Sequence, residues 1–180
     1  MDAISQQKRV YDRNSHIMIV DDDQTLLKFF KIHLNKFFSH VVVVKNAKEA
    51  LEEMEKKEID LVLSDIKMPR TDGVQLLKKI RNANASIPVF LISGAVITDE
   101  QQQMVEENAD GFLRKPFTIE EIQEFINDGM KKREILKELS DVCKDNKVLL
   151  SLIKGKAKPG KLKKAADVKK ATELLEKLAG

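Results

Sequence analysis

The chain has 180 residues, 42% hydrophobic and 34% charged, which allows one ordinary core and a small appendage. No apolar run approaches the roughly 18 residues that span a bilayer, and the opening MDAISQQKRVYDRNSH is too polar for a signal-peptide core, so the expected compartment is the cytoplasm. The one cysteine, Cys143, excludes an intrachain disulfide and a thiolate metal site, and the net charge of +3 hides two unlike parts: residues 131–180 carry 15 Lys+Arg against 7 Asp+Glu, leaving 17 against 22 in residues 1–130.

Residues 1–14 read as a flexible polar segment. The first apolar run, HIMIV (16–20), leads straight into Asp21, Asp22 and Asp23. Leu26, Leu27, Phe30, Leu34 and Phe37 then recur every three or four residues and predict an amphipathic helix, with Asp23 as its expected cap. The run VVVV (41–44) is followed by the helical spacing Ala47, Ala50, Leu51, Met54. The third run, IDLVLS (59–64), opens onto DIKMPRTDG, in which Met68-Pro69 and Asp72-Gly73 are turn chemistry and Asp72 is expected to cap the helix marked by Val74, Leu77 and Ile80. PVFLIS (88–93) precedes a weaker helix containing Met104 and Val105. GFLR (111–114) runs into KPF, after which Thr118 and Glu121 form a capping box for a helix burying Ile119, Ile122, Phe125 and Ile126. His16, His33 and His40 show no ligand spacing and are read as structural or solvated.

Most of the five apolar runs are continuous, as strands covered by helices on both faces require. Five strand-helix units over residues 15–130 predict an α/β fold, an open, doubly wound five-stranded parallel sheet with right-handed crossovers. Ligands in such sheets bind beyond the carboxyl ends of the strands, where the strand order reverses.

Asp21 and Asp22 fall at that edge, and so do Asp65 after the third run, Ser93 after the fourth and Lys115 after the fifth. Converging carboxylates repel, and a hard cation such as Mg²⁺, usually held by one or two carboxylates and water, relieves the repulsion. Carboxylates, a hydroxyl, a lysine and a magnesium ion together suit a phosphoryl group, with Asp65 as the central candidate to accept it.

These residues resemble the receiver domain of two-component response regulators: the acidic pair after strand one, DIKMPRTDG after strand three, Ser93 after strand four and KPF after strand five occur together and in order. The resemblance implies a flavodoxin-like strand order 2-1-3-4-5. It also implies phosphorylation of Asp65 by a sensor histidine kinase or phosphotransfer protein, and Mg²⁺ held by Asp22, Asp65 and the backbone carbonyl of Lys67, with Asp21 acting through a water. Ser93 and Lys115 would contact the phosphoryl oxygens, Phe112 holds the place of an aromatic that moves inward as the hydroxyl shifts, and the face made by the fourth helix, fifth strand and fifth helix would switch. Such a protein is a signalling switch and not an enzyme.

Residues 131–180 read as a basic helical extension. Ile135, Leu139, Val142, Asn146, Leu149 and Ile153 make a short heptad seam, which suits a homodimer through 135–153 or a continuation of the fifth helix that buries its own stripe. KGKAKPGK breaks it, and Leu162, Ala165, Val168, Thr172, Leu175 and Leu178 mark a second segment that could complete a helical hairpin. Eight lysines between Lys154 and Lys170 invite a nucleic-acid reading, but residues 131–180 contain no aromatic and only Arg133, which tells against base readout. The alternative function is a DNA-binding regulator that uses these helices as effector. A hydrolase of the haloacid-dehalogenase type fits less well, since its nucleophile follows the first strand.

Overall fold

The computed structural model describes residues 13–69, 72–83, 86–143, 173 and 176–177. Residues 1–12 of the expected N-terminal segment, the Asn146–Ile153 part of the heptad seam, the KGKAKPGK stretch, the lysine run and nearly all of the second amphipathic segment lie outside them. Among the described residues, strand and helix alternate as β1 (His16–Val20), α1 (Gln24–Leu34), β2 (His40–Val44), α2 (Ala47–Lys56), β3 (Leu61–Asp65), α3 (Gly73–Ala83), β4 (Val89–Ser93), α4 (Asp99–Asn108), β5 (Gly111–Arg114) and α5 (Ile119–Cys143). All strand pairs are parallel, in the order β2-β1-β3-β4-β5. The chain steps outward from β1 to β2 and then back across to β3, so the switch point lies between β1 and β3, whose carboxyl ends carry the aspartates.

Side-chain alternation explains the continuous apolar runs. Ile17, Ile19, Leu61, Leu63, Phe90 and Ile92 face one way, packed with Leu27, Phe30 and Leu34 of α1 and Ile122 and Ile126 of α5. Their neighbours Met18, Val20, Val62, Val89 and Leu91 face the other way, packed with Ala47 and Ala50 of α2, Val74, Leu77 and Ile80 of α3, and Val105 of α4. Neither face is left to water, so neither can afford polar alternation.

The helices begin where side chains satisfy their free N–H groups. Asp23 accepts from the amides of Thr25 and Leu26, Asp72 from Gln75, and Thr118 and Glu121 exchange both bonds of a capping box. The first helix is shorter than its periodicity predicts: α1 ends at Leu34, and the amides of Lys36 and Phe37 turn back to the carbonyls of His33 and Leu34. Phe37 packs on the core from this tight turn.

Two glycines let α5 and β5 close onto the sheet. A Cβ on Gly129 would lie 2.5 Å from Phe90 and 2.6 Å from Leu61, and one on Gly111 would lie 2.7 Å from Phe125 and 2.8 Å from Phe90. At the amino end of the sheet, Arg81 donates to the carbonyls of Ile87 and Asn108 and pairs with Asp110, whose carboxylate also accepts from the amide of Val89. This pair ties the end of α3 to the starts of β4 and β5, away from the aspartates.

The chain divides into two compact units, Met1–Lys131 and Lys132–Gly180, and the first contains the whole sheet. Among the described residues no helix is long and apolar enough to cross a membrane.

Candidate functional site

β1 and β3 are direct neighbours, with Val20 opposite Ser64, so the next residues, Asp21 and Asp65, leave the sheet side by side. Both are buried, 2% and 6% exposed. Ser93 ends β4, is 1% exposed, and lies opposite Arg114, the residue before Lys115. The sheet therefore delivers an acid, a second acid, a hydroxyl and a lysine from four strands to one edge.

Lys115 joins them. Its ammonium lies 2.8 Å from Asp21 Oδ2 and 2.7 Å from Asp65 Oδ1. Its stem runs past Gly94, where an added Cβ would come within 3.4 Å of it, so a small residue after β4 leaves the lysine its path. The Lys115 amide donates to the carbonyl of Ser93, and the bond to Pro116 is cis.

Asp21 is fixed from both sides: its amide donates to Val44 on β2 and its Oδ1 accepts from the amide of Asp23. Asp22 is exposed, and its carboxylate has no hydrogen-bond or ion-pair partner among the described residues. The backbone of Lys67 lies near enough to the Asp65 carboxylate to favour its ionised form slightly. Ser93 Oγ exchanges two 3.1 Å bonds with Ala95, accepting from its amide and donating to its carbonyl. Phe112, opposite Leu91 in the sheet, is partly buried against the cluster that contains Val105 of α4. The loop after Asp65 is closed by Gly73, whose amide donates to Ile66 and whose missing Cβ would collide with the carbonyl oxygen of Asp65.

Electrostatics follow from three charged groups in one cleft. Burial pushes the Asp65 carboxyl above the usual range; Lys115 pulls it down, but not enough to offset burial and the repulsion of Asp21. Burial pulls Lys115 down, and two carboxylates outweigh it, so its pKa ends above that of an ordinary lysine. Two buried carboxylates share one ammonium, an excess of one negative charge. Exposed Asp22 beside them adds oxygen donors without a cation of its own. That donor set suits a hard divalent ion bound with much of its water, although no three His, Cys, Asp or Glu side chains already form a metal cage among the described residues.

Residues 17–127 match the response regulator receiver domain family. The chain belongs to that family. Among curated relatives, this receiver is 24% identical over 132 residues to the alkaline phosphatase synthesis transcriptional regulatory protein PhoP of Bacillus subtilis, covering 73% of this chain and 55% of PhoP. It is 30% identical over 126 residues to the response regulator ArlR of Staphylococcus saprophyticus, covering 70% of this chain and 56% of ArlR. The chain thus spans about half the length of these two relatives. A solved CheY-like receiver domain from Methanospirillum hungatei superposes with a TM-score of 0.63 at 27% identity, covering 67% of this chain and 97% of that one. The fold is CheY-like, and residues 17–127 form a response regulator receiver domain of the two-component type.

Sequence reasoning did not single out Gly129, the Arg81–Asp110 pair, or a second capping box at α4, where Thr98 and Gln101 exchange both bonds. The last carries a legible signature, Thr-x-x-Gln before a helical segment.

Proposed function

We propose that Asp65 accepts a phosphoryl group, in a Mg²⁺-dependent reaction, from the phosphohistidine of a sensor histidine kinase or phosphotransfer protein, and that the modified site switches the α4-β5-α5 face. The observation that carries this reading is the Lys115 ammonium between Asp65 and Asp21, a cation placed where transferred phosphoryl oxygens would need one.

In the transfer, a carboxylate oxygen of Asp65 attacks phosphorus, the new O–P bond forms as the donor's P–N bond breaks, and the departing imidazole nitrogen recovers a proton. Asp22, Asp65 and the Lys67 carbonyl would hold the ion, Asp21 acting through a water; when bound, it supplies charge neutralisation to the phosphoryl oxygens. Lys115 turns from the bare carboxylates to the phosphoryl group. Ser93 gives up its bond to the Ala95 carbonyl and donates to a phosphoryl oxygen, drawing in the loop that leads to α4. Phe112, on β5 and partly buried against the same cluster as Ile97 of that loop, follows it inward. The chain is an acceptor rather than an enzyme that turns over a small substrate, it works in the cytoplasm, and residues 131–180 carry contact with a protein partner.

Intact mass after incubation with acetyl phosphate tests the reading. Wild type gains one phosphoryl group with Mg²⁺ and none with a chelator, and Asp65→Asn gains none. Equal modification of Asp65→Asn, or steady turnover of a phosphomonoester, would overturn it.

A further inference from the structure

Asp72 and Gln101 stand at the starts of the two helices that follow the acceptor strand and the hydroxyl strand. Asp72 Oδ1 accepts from the Gln75 amide at 2.8 Å and so caps α3. Its second oxygen, Oδ2, accepts from Gln101 Nε2 at 3.4 Å. The Gln101 amide is oriented by its own helix: Oε1 accepts from the Thr98 amide at 3.1 Å, which turns the NH₂ group toward Asp72. Thr98 Oγ1 completes the box by accepting from the Gln101 amide at 3.2 Å. One carboxylate therefore joins the amino ends of α3 and α4.

Both ends of this bridge connect to the site. Asp72 precedes Gly73, whose amide is bonded to Ile66 next to Asp65. Thr98 is five residues beyond Ser93, at the end of the loop that Ser93 holds through Ala95. Movement of Ser93 toward a phosphoryl group draws on that loop and on the start of α4, while the bridge holds that start to α3.

We infer that Asp72 and Gln101 are positioning residues that hold α4 in its resting place and so set how readily the receiver responds to a phosphoryl group on Asp65. The inference rests on the acceptor role proposed above for Asp65. A bridge present only at rest stabilises the resting form, and its loss tightens binding of a phosphoryl mimic.

Two variants remove the bridge and keep both caps. Asp72→Asn leaves an oxygen for the Gln75 amide but turns the second position into a donor, and asparagine is as good an N-cap as aspartate. Gln101→Glu keeps the capping box, for which glutamate is a standard partner, and sets a carboxylate against Asp72. The double variant restores the bridge with donor and acceptor exchanged. Beryllium fluoride with Mg²⁺ is titrated into the full chain and its variants, with amide hydrogen exchange at residues 99–102 recorded in its absence. Each single variant is expected to lower the half-saturating concentration by about 3- to 10-fold, the scale of one ordinary hydrogen bond, as suits a part-buried contact of 3.4 Å. Each is also expected to speed exchange at the start of α4, with the double variant returning both readouts toward wild type. Unchanged titrations in the single variants, or effects that add in the double, would overturn the inference. If wild type takes up no beryllium fluoride, the acceptor reading of Asp65 fails, and unchanged exchange in the single variants would independently reject the bridge.

Discussion

Replacing Lys115 with methionine keeps most of the side-chain volume and removes the charge that Asp21 and Asp65 share. With the ammonium 2.7 and 2.8 Å from the two oxygens and only 27% exposed, removal leaves two adjacent carboxylates facing each other in a buried cleft. Breaking a buried pair in this way costs about 3–5 kcal/mol, and partial access of water to Lys115 places the expected loss near the lower end, about 3 kcal/mol at about pH 7.5. The loss has a pH signature. The repulsion is relieved when a carboxyl between them takes a proton, so over the acid range the folded variant binds more protons than its unfolded chain. Its deficit against wild type therefore shrinks as pH falls from about 7.5 toward about 4, and the full slope of about 1.4 kcal/mol per pH unit applies only where the carboxyl is protonated in the folded state and ionised in the unfolded one. Urea denaturation of both proteins between these pH values measures the difference, and Mg²⁺ is expected to stabilise the variant more than wild type. A deficit that is constant across the range, or absent at the upper end, would refute the reasoning that two carboxylates depend on one lysine.

Asp65→Asn is expected to stabilise the fold near neutral pH. Burial raises the folded-state pKa of Asp65 above its ordinary 3.8, so the stability attached to its protonated form is full below that value and is lost as pH rises through the folded value. Thermal melts should therefore show an advantage for the variant that grows with pH and is absent at the acid end; a deficit at neutral pH would contradict this. Gly129→Ala places a Cβ 2.5 Å from Phe90, and the overpacking cost of about 1–3 kcal/mol exceeds the roughly 1 kcal/mol that alanine returns to the helix, so denaturant midpoints should fall. Asp110→Ala strips a buried partner from Arg81 and is expected to cost about 3 kcal/mol in chemical denaturation, while leaving uptake of acetyl phosphate by the folded protein as in wild type.

The strands were readable because both of their faces are covered: Ile17 to Val20 and Val89 to Ile92 had to be apolar throughout, and unbroken runs of that length between helical spacings admit few alternatives. Caps at Asp23, Asp72 and Thr118 were readable because each is a local event spanning three residues. The site was readable because parallel strands deliver their carboxyl ends to one edge, so residues far apart in sequence need only follow the right runs. What the chain order conceals is lateral detail. Asp21 and Asp22 are alike in sequence, yet only the first pairs with Lys115, and that follows from the alternation of side chains continued from β1. Gly129 looks like a weak point in a helix until Phe90 is placed beneath it, and Arg81 looks like a surface charge until Asp110, 29 residues away, folds over it.

The Ser93 hydroxyl is engaged on both sides by the main chain of Ala95, and Lys115 is engaged by two carboxylates, so neither group waits with an open valence. A sulfate or phosphate ion diffusing into the cleft must displace these contacts while gaining no covalent anchor. On the acceptor role proposed for Asp65, an anion tethered there meets both groups at close range, whereas a dissolved oxyanion competes with contacts already made.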